Sequence, residues 1–145
     1  MILLDASALI AFLYGEPAEG EVAALLRSGE CVTPSPCLAE VVDQLIRRNG
    51  VKPEEVVDHL DPLIEATLGI VPIENRLAWQ AGEFRATHYA RKGSDLSLAD
   101  CLLLACLGSE DKLASSDRAL VAAARDLELG VIALPDSGGR QLEAD

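Results

Sequence analysis

Aromatic side chains make up only 3% of the 145 residues, with one Trp, two Tyr and two Phe. Repeated stacking of bases on rings is therefore excluded as the main mode of nucleic-acid recognition. Positive charge is equally scarce: 12 Lys and Arg stand against 24 Asp and Glu, a formal net charge of -12. No broad electropositive surface for duplex nucleic acid can be built from such a chain, so any polyanion must be held locally. Long hydrophobic runs are missing too. The longest apolar stretch, "CLLLACL", falls far short of the roughly 20 residues that span a bilayer, and "MILLD" meets an acid too early for a signal-peptide core. A cytoplasmic protein, neither exported nor inserted in a membrane, is expected.

Familiar catalytic and metal motifs are also absent. The chain has no Gly-rich phosphate loop and no G-x-S-x-G, and His59 and His88 lack ligand-like spacing, so they read as surface or partly buried structural residues. The four cysteines, Cys31, Cys37, Cys101 and Cys106, are spaced C-x5-C and C-x4-C with no histidine pair nearby, which is poor zinc spacing. They read as reduced core thiols.

What is present is apolar patterning: half of the residues are hydrophobic, enough for one domain with a sizeable core. Short apolar runs, "MILLD", "CVTPS", "GIVPI", "KLASS" and "GVIALP", alternate with segments of helical period. Five strands and at least five intervening helices are expected. Pro17 opens one helical segment and Gly29 closes it, Pro53 opens another, Asn49-Gly50 closes "CLAEVVDQLIRRNG", and Pro62 is expected to split or kink the segment between Pro53 and Leu68. Continuous apolar strands joined by helical crossovers imply an α/β fold, a central parallel five-stranded sheet flanked by helices on both faces. One domain over residues 1–135 is expected, followed by a loose polar tail over 136–145, "DSGGRQLEAD".

In such sheets ligands bind beyond the carboxyl ends of the strands. Asp5 stands at one such end and Asp117, after "KLASS", at another. Each also suits the N-cap of the helix that follows. Asp100 interrupts the otherwise apolar "SLADCLLLACLGS", where a capping box with Ser97 would occupy it. Glu40 falls opposite the apolar face of Leu38, Val41, Val42, Leu45 and Ile46, so periodicity reads it as a solvated charge, although it lies about one turn into a helix that follows a strand.

Four segments, "LLDASALIAFL", "LAEVVDQL", "LSLADCLLLA" and "ASSDRAL", together resemble the acidic motifs of PIN-domain ribonucleases, and within that family the VapC-type toxins. The likeness spans residues 1 to about 135 with the motifs in the family's order and no core acid missing. It implies a single PIN-like domain in which Asp5, Glu40, Asp100 and Asp117 bind metal and carry catalysis, with Ser7 and Ser116 supporting the carboxylates or metal-bound water. The two serines serve equally as helix or turn caps. Oxygen-only ligands favour Mg²⁺ or Mn²⁺, and the chemistry implied is metal-assisted hydrolysis of RNA phosphodiester bonds. Arg91, Lys92 and Arg118 are candidates for substrate phosphate, each also readable as a solvated charge, and Asp95 is a weaker fifth acid in a polar loop.

A housekeeping PIN-domain nuclease would carry the same acids. A phosphoaspartate phosphatase of similar shape is disfavoured because Ser7 stands where a second Asp would follow the nucleophile, and a scaffold whose acids merely cap helices is the remaining alternative. From the VapC-type likeness follow an antitoxin partner, to which the charge of -12 adds electrostatic attraction for a basic segment, and a homodimer, for which "AEGEVAALL" and "EVVDQLI" are candidate stripes.

Overall fold

A computed structural model of the chain describes residues 1–92 and 96–142, the side chains of 89–92 excepted. The five apolar runs are strands: β1 (Ile2–Leu4), β2 (Cys31–Pro34), β3 (Gly69–Val71), β4 (Lys112–Ser115) and β5 (Gly130–Ala133). They form one sheet of order β3-β2-β1-β4-β5 in which every pairing is parallel. Leu3 pairs with Leu113 and Leu4 with Ala114, so Asp5, just past β1, and Ser115, the last residue of β4, come together. The helices are α1 (Ala6–Tyr14), α2 (Glu19–Arg27), α3 (Ser35–Arg47), α4 (Val56–Ala66), α5 (Asn75–Lys92), α6 (Leu98–Cys106) and α7 (Arg118–Asp126).

Strand alternation sorts the core into two layers. Leu4 and Ala114 pack with residues of α1, α2 and α4 and with Val41 and Leu45 of α3. Leu3 and Leu113 face the other way, against Ala81 of α5, Cys101, Leu103 and Leu104 of α6, and Leu120, Ala123 and Ala124 of α7. Helix α3 contributes to both layers, because Cys37 in its first turn belongs to the second. The cysteines are free thiols, three of them buried.

The punctuation predicted from sequence is largely present. Gly29 and Gly50 adopt φ values of 74° and 70° after α2 and α3, a conformation that glycine reaches at little cost. Pro62 does not divide its segment; it lies inside α4. Asp58 and Pro62 are both exposed, so the Asp58 carbonyl that loses its usual donor faces water. Residues 136–142, the described part of the polar C-terminal segment, make defined contacts. Asp136 accepts from the backbone N–H groups of Gly138 and Arg140, and Leu142 is buried.

The helical stripes named for a dimer are mostly consumed by the chain's own core: Val22 and Leu26 of α2 and Val41 and Leu45 of α3 are buried within the first layer. Apolar period alone does not distinguish a core face from an interface.

Gly130 begins β5, where a Cβ would stand 2.8 Å from the Asp111 carbonyl oxygen and 3.0 Å from Cγ of Lys112. Gly130→Ala should therefore destabilise the protein by about 1–3 kcal/mol, the usual range for overpacking, seen as a lower urea midpoint with an unchanged slope.

Candidate active site

The strand order reverses between β1 and β4, and the crevice beyond their carboxyl ends is where open α/β sheets bind ligands. Asp5 follows β1 directly, and Asp117 follows β4 after one intervening residue, Ser116. Asp5 is only 5% exposed. As a helix cap its Oδ1 accepts from the Ala8 N–H at 2.9 Å, and the Ser7 hydroxyl donates to both carboxylate oxygens at 2.9 Å. The Ser115 hydroxyl, fully buried at the end of β4, donates to Oδ2 at 2.7 Å. Thr33 on β2 steadies the same strand end from the other side, donating to the Leu4 carbonyl at 2.8 Å.

Behind these bonds stands a second tier. Both the backbone N–H and the hydroxyl of Ser116 donate to the Ser7 oxygen, at 3.2 and 2.9 Å, and the Asp117 N–H donates to the Ser115 oxygen at 2.9 Å. Asp117, exposed, caps α7 through Ala119 and Leu120. The expectation that Ser116 supports the acids therefore needs a companion: Ser115 is the residue that touches Asp5, and Ser116 acts one step away through Ser7. Only the register of β1 against β4 reveals this.

Asp100 and Ser97 form the capping box that their spacing predicts: the Ser97 N–H donates to Asp100 Oδ2 at 2.7 Å and the Asp100 N–H to the Ser97 hydroxyl at 3.0 Å. Asp5 and Asp117 are thus N-caps, and Asp100 is the N3 partner of the Ser97 cap. Glu40 is different, because it lies within α3 and caps nothing. It is half-buried, contrary to the helical-wheel reading. The wheel assumes one buried face, whereas α3 packs on α1 and α4 along one side and on α6 along another.

The electrostatics tie the four acids together. Burial pushes the Asp5 carboxyl up to about 6, against the opposing hydrogen bonds of Ser115, Ala8 and Ser7, and the charge of Asp117 adds to the rise. Burial likewise raises Glu40, with further repulsion from Asp100, Asp5, Asp117 and Asp43. Asp100 is raised by burial and by Asp117, its capping hydrogen bonds opposing. The buried thiol of Cys37, in the first turn of α3, is pushed up by burial and by the charges of Asp5, Glu40 and Asp100.

Carboxylates facing carboxylates in this way are a donor set for a hard divalent cation. Among the described residues, no three acidic, His or Cys side chains are gathered closely enough to hold one ion as they are placed. The fit therefore lies in the oxygen-only chemistry and the mutual repulsion that a cation would relieve. Arg118 is exposed at the start of α7. The side chains of Arg91 and Lys92, and Asp95 as a whole, lie outside the described residues. His59 is exposed, and His88 stacks on Phe84 with ring centroids 5.3 Å apart. That pair lines a cleft of about 610 Å³ between α5 and α7 to which none of the four acids contributes.

An α/β domain with acids at the switch point of a 3-2-1-4-5 parallel sheet is the class that fold and site define. The family model of the PIN domain matches residues 2–129, and the chain belongs to the PIN-domain family. Among solved structures it is similar to VapC20 of Mycobacterium tuberculosis, described as a sarcin-ricin loop cleaving toxin, with 21% identity, a TM-score of 0.68 and coverage of 85% of this chain and 95% of that one. It is also similar to VapBC2 from Rickettsia felis, bound to a DNA fragment from their promoter, with 19% identity, a TM-score of 0.68 and coverage of 91% and 98%. For FitAcB from Neisseria gonorrhoeae the values are 22%, 0.63, 91% and 96%. No curated protein sequence matches this one.

Raised acid pKa values carry a sign for stability. A carboxyl whose folded value lies near 6 instead of 3.8 binds more protons when folded than when unfolded between those pH values, so stability falls as pH rises through that window. For Asp5 the loss amounts to about 3 kcal/mol. In chelator, wild type should lose stability from pH 4 to pH 6.5 more steeply than Asp5→Asn, in which that carboxyl is gone. Denaturant melts that stay parallel across the range would show that Asp5 does not carry the linkage.

Proposed function

We propose that this chain is a metal-dependent endoribonuclease that cleaves RNA phosphodiester bonds at Asp5, Glu40, Asp100 and Asp117, and that it is the toxin of a toxin–antitoxin pair. The observation that carries the reading is Glu40. A scaffold whose acids serve only as caps accounts for Asp5, Asp100 and Asp117, but it gives no reason to half-bury a fourth carboxylate in mid-helix under the charge of the other three. The phosphoaspartate alternative is further weakened by Asp5 itself, because a carboxylate nearly closed off and held by three donor groups is a poor nucleophile.

The four acids would hold Mg²⁺ or Mn²⁺, which when bound polarises the scissile phosphate and lowers the pKa of an attacking water. The chain's own residues supply placement. Ser7 and Ser115 fix the plane of the Asp5 carboxylate, Ser116 fixes Ser7, and the capping box fixes Asp100 at the start of α6. Helix α3 brings Glu40 in from the β2 side.

The toxin half of the reading is supported by the VapC and VapBC structures among the similar folds. An antitoxin with a basic segment suits the charge of -12. Action on RNA in the cytoplasm is part of the proposal; no helix among the described residues is long and apolar enough to cross a membrane. A homodimer remains part of the proposal. Its apolar contact belongs on exposed residues such as Trp79 and Leu127, since the stripes of α2 and α3 are spent on the core.

Asp5→Asn, Asp100→Asn, Asp117→Asn and Glu40→Gln should each abolish or severely reduce Mn²⁺-dependent cleavage of RNA, with circular dichroism spectra unchanged. Ser115→Ala should lower divalent-ion affinity or activity about 10–100-fold, the range for residues that orient metal ligands. Wild-type activity in Glu40→Gln would return that residue to the solvent and remove the main support for the site.

A further inference from the structure

The scarcity of positive charge makes its distribution informative. Of the 12 basic residues, Arg118, Arg125 and Arg140 line a single cleft of about 510 Å³ between α7 and the C-terminal segment, together with Gln141 and an apolar floor that includes Val121 and Leu142. Arg118 and Arg125 are seven residues apart on α7, hence on one face and about 10 Å apart along the axis. That face lies opposite the one that Leu120, Ala123 and Ala124 bury in the core. Arg140 reaches the cleft from the other wall. Its Nε donates to Asp136 Oδ2 at 3.0 Å, and Asp136 in turn is the acceptor that closes the turn carrying Arg140.

One detail is hard to explain by stability. Arg118 occupies the first position of α7, the positive end of the helix, where a cation is electrostatically misplaced. Arg125 in the last turn suits the negative end of that helix and Arg140 pairs with Asp136, yet both converge with Arg118 on the same cleft. An anion in the cleft suits that convergence. The residue before Arg118 is Asp117, so the basic track begins where the acidic crevice ends.

We propose that this cleft binds backbone phosphates of the RNA strand that lie next to the bond being cut, an inference that rests on the ribonuclease reading above. The acids then act on one phosphate while Arg118, Arg125 and Arg140 hold its neighbours. This resolves how a chain of net charge -12 grips a polyanion without a basic surface. Because the contacts are to phosphate, they carry no base sequence information.

The test is the salt dependence of binding of a labelled single-stranded RNA 20-mer of mixed sequence, in chelator, by wild type and by Arg118→Gln, Arg125→Gln and Arg140→Gln singly and combined. Each lost contact should reduce the slope of log affinity against log salt by about 0.7, and the triple variant by about 2. The matching Arg→Lys set, which keeps charge but loses the guanidinium fork, should retain the slope and so separates lost contacts from misfolding. Cleavage of the same RNA with Mn²⁺ is followed in parallel. Wild type that binds and cleaves RNA while the Gln variants keep its slope overturns the cleft and leaves the ribonuclease reading standing. Wild type that neither binds nor cleaves RNA overturns both. Variants that bind RNA as wild type does but lose binding to poly-glutamate overturn the proposal in favour of a protein-binding surface.

Discussion

Everything at the carboxyl edge of the sheet depends on one buried carboxylate, Asp5, being held ionised or nearly so by its neighbours. Left in an apolar interior without partners, such a group would take up a proton or unfold the strand end that carries it. The parallel register of β1 on β4 prevents this by delivering the Ser115 hydroxyl, and the first turn of α1 supplies a backbone N–H and the Ser7 hydroxyl. Burial still prevails, with the carboxyl raised to about 6. The structure thus holds Asp5 in place without fully compensating its charge, which is the condition a cation-binding site requires.

A second theme is economy of position. Three of the four acids close the amino ends of helices α1, α6 and α7, a local task that fixes their backbone and one carboxylate oxygen or both. Helix capping and site construction are often treated as rival explanations for an Asp at a strand end. In the proposed site they would be one arrangement, because a carboxylate that caps a helix at a strand end stands beside the crevice where such sheets bind ligands.

The strands were legible in the sequence because strands buried on both faces read as unbroken apolar runs, and the strand-end acids followed from that. Glu40 was not legible from periodicity, since a wheel drawn for one buried face misplaces a residue on a helix that packs two ways; the family likeness of "LAEVVDQL" singled it out instead. Ser115 was passed over in favour of Ser116 because strand register is a long-range property that the local string "SSD" does not contain. Composition does not show the turn that Asp136 builds with backbone N–H groups or the burial of Leu142, because both depend on contacts beyond the local string.

The serine tier around Asp5 has a polarity. Ser7 and Ser115 each spend their only hydroxyl proton on Asp5 while accepting from Ser116 and from the Asp117 N–H, so every proton in the chain of bonds points inward to a single acceptor. A carboxylate that takes up a proton can no longer receive them all, and at least one hydroxyl must turn. Because the Asp117 N–H and Ser116 donate to those same hydroxyl oxygens, the end of β1 is joined to the entrance of α7 by a continuous run of hydrogen bonds from a buried acid to an exposed one.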